Sequence, residues 1–114
     1  MATLFFGLKS CDSCRAALKS IEAAGKPVDV RDVRDDGVPE ETLRRAVEEL
    51  GADSVVNRRS TTWRGLDETA RGGDAVELLK THPALMKRPL IMHEDGTLTI
   101  GWDAQARAAI GIAG

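Results

Sequence analysis

Thr3-Leu4-Phe5-Phe6-Gly7, followed closely by Cys11-Asp12-Ser13-Cys14-Arg15-Ala16-Ala17-Leu18, is the stretch that decides the fold of this chain. The first piece is apolar and closes on a glycine, the pattern of a short buried strand. Lys9 and Ser10 make the turn into Cys11. From Asp12 to Ala24 the apolar residues Ala16, Ala17, Leu18, Ile21 and Ala24 recur at helical spacing. Gly25 then stops the helix and Pro27 prevents its continuation. The only two cysteines therefore stand at the start of a helix, at positions i and i+3, on one face of it. Free backbone N–H groups and the helix dipole favour a thiolate there. Strand, Cys-x-x-Cys and helix together are the arrangement of a dithiol redox site or an anion-binding cysteine.

Outward from this unit, Val28 to Val33 alternates as a strand with one wet face, suited to a sheet edge. Strand–helix–strand is too long for a hairpin and implies a parallel crossover pair. Asp35-Asp36-Gly37 turns the chain, and Pro39 with Glu40 and Glu41 opens a second helix that runs to Leu50 and stops at Gly51. Asp53 to Asn57 reads as one more helical turn, Arg58 to Glu68 has no clear period, and Asp74 to Lys80 is a short helix. Lys87-Arg88-Pro89 leads into the apolar strand Leu90-Ile91-Met92, Glu94-Asp95-Gly96 is a hairpin turn, and Leu98 and Ile100 alternate in the return strand. Asp103 caps a last helix from Ala104 to Ile110. The order is β-α-β, a helical block, then β-β-α. The expected fold is α/β and thioredoxin-like, with a helical insertion over roughly residues 38–82.

The 114 residues are enough for one core, so a single domain over residues 1–114 is expected. Hydrophobic content of 42% and charged content of 30% fit a soluble globular protein. No apolar run reaches the ~20 residues of a membrane span, and the start of the chain lacks the basic lead of a signal peptide. A cytoplasmic monomer with no membrane association is expected, its Cys-x-x-Cys reduced and serving redox or metal binding rather than as a staple. A net charge of −2 gives no reason to expect direct nucleic-acid binding. Structural zinc needs four ligands. Only His82 and His93 could join the cysteines, in separate segments and without zinc-site spacing, so no metal is expected.

Beyond the opening strand and Cys11, three segments carry a resemblance. They are Asn57-Arg58-Arg59-Ser60-Thr61-Thr62-Trp63-Arg64-Gly65-Leu66-Asp67-Glu68, His82-Pro83-Ala84-Leu85-Met86-Lys87-Arg88-Pro89-Leu90, and Gly101-Trp102. With these in order over almost its whole length, the chain resembles the ArsC/Spx/YffB group of arsenate-reductase-like proteins. The middle segment is most similar to the YffB branch, the Cys-x-x-Cys to the Spx branch. The resemblance implies a thioredoxin-like fold with a helical insertion and Cys11 as nucleophile. It further implies Arg88 beside Cys11, a cis bond before Pro89 that keeps the facing loop open to a thiol partner, and Arg59 contributed by the insertion. True arsenate reductases of this kind use glutathione and a further arginine in the last hairpin. Here Thr97 to Trp102 has none, and Arg107 falls in the last helix.

The expected chemistry follows from thiolate reactivity. Cys11, with Arg88 and Lys9 near the helix start, attacks a disulfide or glutathione conjugate, and Cys14 resolves the mixed disulfide. Arg59 and Arg88 supply planar forks of donors for an anion such as a glutathione carboxylate, and Pro89 shapes that side of the site. Glutathione is the expected co-substrate, with no bound cofactor; another small thiol or a thiol protein is the other partner class. Trp63 and Trp102 are read as core residues. Two alternatives stand beside the oxidoreductase. One is an Spx-like redox-sensing regulator that binds RNA polymerase, disfavoured by the short sequence after Trp102. The other is a true glutathione- or glutaredoxin-dependent arsenate reductase, disfavoured by the hairpin without arginine.

Overall fold

Leu4–Gly7 forms β1, an inner strand of a four-stranded sheet ordered β2-β1-β3-β4. This computed structural model describes residues 3–8 and 10–111. After β1 come α1 (Asp12–Ala23), β2 (Asp29–Asp32), and the helices α2 (Glu40–Leu50), α3 (Ala52–Val55), α4 (Thr61–Arg64), α5 (Glu68–Arg71) and α6 (Ala75–Thr81). A 3₁₀ turn at Pro83–Leu85 leads to the hairpin β3 (Leu90–Met92) and β4 (Leu98–Ile100), and α7 (Ala104–Ile110) closes the chain. β1 runs parallel to β2, with Phe5 opposite Val30, and antiparallel to β3, with Phe5 opposite Ile91. The fold is thioredoxin-like, with the helices α2 to α6 inserted between its halves.

Neighbouring side chains on a strand point to opposite faces, so an inner strand covered on both sides must be apolar throughout. Phe5 and Phe6 show this directly. Phe5 is fully buried with Cys14, Ala17, Ile21, Ile91 and Ile110, beneath α1 and α7. Phe6 is buried with Leu43, Ala46, Val55, Leu79 and Leu90, beneath the insertion. Burying each ring contributes about 2 kcal/mol, so the two residues fasten two layers to one strand.

The insertion is held by an amphipathic α2, whose Thr42, Leu43 and Ala46 face inward and whose end at Gly51 has a φ of +89°. Its far end is tied to the segment before β3. Val56 bridges Met86, flanked by Asn57 N–H donating to the Leu85 carbonyl (2.7 Å) and Lys87 N–H donating to the Val55 carbonyl (2.7 Å). This tie sets Asn57 next to Lys87 and Arg88.

Three details depart from the sequence reading. The segment without period contains α4 and α5, single turns too short to show periodicity, each opened by a capping side chain, Ser60 Oγ and Asp67 Oδ1. Trp63 and Trp102 are only half-buried. Trp63 packs at the rim of the core, with the Arg58 and Arg71 guanidiniums 5.6 and 5.7 Å from its ring centre. On β2, Val30 is 49% exposed and lines an open cleft with Leu18 of α1. Beyond these, no helix among the described residues is long and apolar enough to cross a membrane.

Candidate active site

The chain leaves β1 at Gly7, and the Cys11 N–H bonds back to the Leu8 carbonyl (3.1 Å), placing Cys11 as the extended N-cap residue of α1. Its thiol makes no capping hydrogen bond, but it sits where the first free N–H groups of the helix gather. Cys11 and Ser13 form one side of a cleft of about 310 Å³ whose other walls are Asn57, Lys87, Arg88 and Gly101. Four separate parts of the chain therefore converge on one half-buried sulfur.

Arg88 is positioned from both ends. Its peptide bond to the fully buried Pro89 is cis, as the resemblance implied. Its Nη1 donates to the carbonyls of Ala84 (2.9 Å) and Met86 (3.1 Å), which fastens the guanidinium to the 3₁₀ turn. Its Nε is buried without a protein partner. The same guanidinium lines the cleft with Cys11 and helps to lower its pKa.

The two thiols are driven apart electrostatically. Burial pushes the Cys11 pKa up, but the Cys14 N–H and thiol, and the hydrogen bond and charge of Arg88, outweigh it and leave the thiol below its ordinary value. Cys14 is only 1% exposed, and burial, opposed by the Leu8 backbone and reinforced by Cys11, pushes it up to about 11. Cys11 is thus the more acidic of the two thiols and ionises before Cys14. Both are free thiols in this structure. Cys14 can lie so close to the sheet because residue 7 is glycine: a Cβ there would stand 2.8 Å from Cys14 Sγ and 2.9 Å from the Phe5 ring.

The remaining residues expected at the site are distributed differently. Arg59 is exposed and does not line the cleft, while its backbone N–H is held by Asn57 Oδ1 (3.1 Å). Lys9 lies outside the described residues. Asn57, Lys87 and Ser13 line the cleft without having been singled out in the sequence. Lys87 and Asn57 both stand in segments that carry the resemblance, Asn57 at the head of its segment, but neither was given a role. A larger cavity of about 370 Å³ lies at the other end of β1, around His93, and neither cysteine lines it. Among the described residues, no three of His, Cys, Asp and Glu gather to hold a metal ion.

Comparison with known proteins gives the chain a family. The ArsC family model matches residues 6–110, from the end of β1 through α7. The chain belongs to the ArsC family. It is 37% identical over 102 residues to an uncharacterized protein of Haemophilus influenzae, covering 86% of this chain and 89% of that one. It is 28% identical over 108 residues to the global transcriptional regulator Spx of Bacillus subtilis, covering 90% of this chain and 81% of the regulator. Among solved structures it is similar to a YffB protein, with a TM-score of 0.87 and 31% identity over 96% of this chain and 98% of that one. Within the ArsC family this chain carries its arginine before the cis proline, and its β3–β4 hairpin has none.

Proposed function

We propose that this ArsC-family chain is a small cytoplasmic thiol oxidoreductase, linked to glutathione, with Cys11 as its nucleophile. The observation that carries the reading is geometric: Cys11 stands at the N-terminus of α1 in one cleft with Arg88, and Cys14 is buried one turn further along the helix, an arrangement that lowers the Cys11 pKa and raises that of Cys14. The Cys11 thiolate attacks one sulfur of a disulfide R–S–S–R. A Cys11–S–S–R bond forms, the original S–S bond breaks, and R–S⁻ leaves with the electron pair. Cys14, once deprotonated, attacks the Cys11 sulfur, releases the second R–S⁻ and closes a Cys11–Cys14 disulfide, which reduced glutathione reopens. In total R–S–S–R is reduced by two electrons and the dithiol is oxidised by two. Arg88 stabilises the thiolate before attack, and its positive charge suits an anionic thiol such as glutathione.

The test is mass-resolved alkylation of each cysteine from about pH 4 to about pH 9, with and without glutathione disulfide. Selective labelling of Cys11 with a depressed pKa, and a Cys11–glutathione adduct that Cys14 discharges, is the supporting result. Two equally sluggish cysteines with no adduct would remove the enzyme reading. The similarity to Spx supports a second reading, a redox-sensing regulator whose partner is RNA polymerase. Co-purification with polymerase, dependent on the oxidation state of Cys11 and Cys14, distinguishes the two.

A further inference from the structure

Asn57 stands on the wall of the cleft facing Cys11, and nearly all of its hydrogen-bonding capacity is already engaged. Its backbone N–H donates to Leu85 (2.7 Å), and its carbonyl accepts from the Ser60 N–H (3.3 Å) and hydroxyl (2.8 Å). Its side-chain Oδ1 accepts from the Arg59 N–H (3.1 Å). The side-chain amide Nδ2 is its one polar group with no partner among the described residues. Backbone and Oδ1 together fix the side chain, so this donor is held ready at no further cost in ordering. The neighbouring cations are charged donors that are partly engaged. Lys87 Nζ donates to the Asp53 carbonyl (3.1 Å), and Arg88 Nη1 is held by two carbonyls while its charge serves the Cys11 sulfur. The spare neutral donor on the insertion side of the cleft is the Asn57 amide.

We propose that Asn57 contacts the substrate, its Nδ2–H donating to a carbonyl or carboxylate oxygen close to the sulfur that Cys11 attacks. The substrate class this selects is the disulfide of a cysteinyl peptide, whose carbonyl lies a few bonds from its sulfur. A simple alkyl disulfide has no acceptor to offer. The proposal rests on the thiol chemistry proposed for Cys11 and adds to it a specificity residue that the insertion supplies.

The experiment compares the rate constant for forming the Cys11 adduct with two probes, glutathione disulfide and dimethyl disulfide, in the parent chain, Asn57→Ser and Asn57→Asp. Serine keeps a short oxygen acceptor for the Arg59 N–H and removes the amide donor without adding charge. Aspartate keeps the acceptor geometry and turns the donor into a second acceptor. With glutathione disulfide the serine variant is expected to be slower by about tenfold, and the aspartate variant slower still. With dimethyl disulfide the serine variant stays within about twofold of the parent, and its urea midpoint is unchanged. Equal losses with both disulfides would mean that Asn57 acts only by shaping the site, and would overturn the proposal, as would no loss with either. If the parent reacts at Cys11 with dimethyl disulfide normally while these variants fail to discriminate, Asn57 alone is refuted. A parent chain whose Cys11 reacts with neither probe overturns the thiol reading together with this one.

Discussion

Replacing Gly7 with alanine tests the packing that brings the two cysteines together. The added Cβ would stand 2.8 Å from Cys14 Sγ, 2.9 Å from the Phe5 ring and 3.3 Å from Cys14 Cβ. Both neighbours are buried in the layer under α1, so neither can swing into solvent. Gly7 is not in the left-handed region, so only space is at issue. Two effects oppose each other. Alanine restricts the unfolded chain and so favours folding by about 0.4–1 kcal/mol. Overpacking a filled core costs about 1–3 kcal/mol. With two contacts below 3 Å the clash belongs in the upper half of that range, so the net loss is about 1–2 kcal/mol. At about 4 °C per kcal/mol for a domain of this size, Tm falls by roughly 4–8 °C. A double-mutant cycle isolates the cause. Cys14→Ala alone loses a buried sulfur, at about 1 kcal/mol. In Gly7→Ala/Cys14→Ala the new methyl enters the space the sulfur left, so the double variant is less destabilised than the sum, with a coupling of about 1 kcal/mol or more. Urea denaturation with unchanged m-values supplies the four stabilities. Strict additivity, or a Gly7→Ala chain as stable as the parent, would refute the argument that Gly7 exists to admit Cys14.

Three further outcomes follow from the site and its surroundings. Arg88→Met removes a hydrogen bond and a charge that hold the Cys11 pKa down, so the midpoint of its alkylation profile moves to higher pH; Arg88→Lys, which keeps the charge, moves it less, and an unmoved midpoint in Arg88→Met would contradict the role given to the guanidinium. His93 is buried, and burial outweighs the pull of the Asp95 carboxylate and lowers its pKa below the usual value. Between the two values the unfolded chain holds more protons, so stability is full above about pH 6.5 and falls as the pH drops through it; His93→Gln should flatten that slope in urea midpoints measured on either side of it. Asp103 caps α7 through its bond to the Ala106 N–H (2.9 Å), and Asp103→Ala should cost about 1 kcal/mol without changing the pH profile of Cys11.

Much of the fold was legible because its signals are local. The apolar run before Cys11, the helical spacing after it, the glycine stops and the aspartate cap of α7 each lie within a few residues of the element they determine. The edge position of β2 was also readable from its alternation. What escaped reading was short or long-range. α4 and α5 are single turns whose caps were present but whose period had no room to appear. The alternation of β2 implied an inward Val30, yet an open cleft lies between it and Leu18 of α1, and no local pattern records how closely a helix packs on a sheet edge.

By itself the sequence determined where the nucleophile stands. A thiol at the first turn of a helix, behind a buried strand, follows from neighbouring residues alone. Only the tertiary structure decided what surrounds it. Asn57, Arg88 and Gly101 are far from Cys11 along the chain, and they meet it because the Val56–Met86 bridge ties the insertion to the segment before β3 and because β3 pairs with β1. The same packing buries Cys14 and leaves Cys11 half-open, and this difference in solvation, with one guanidinium, makes two chemically identical side chains different in acidity.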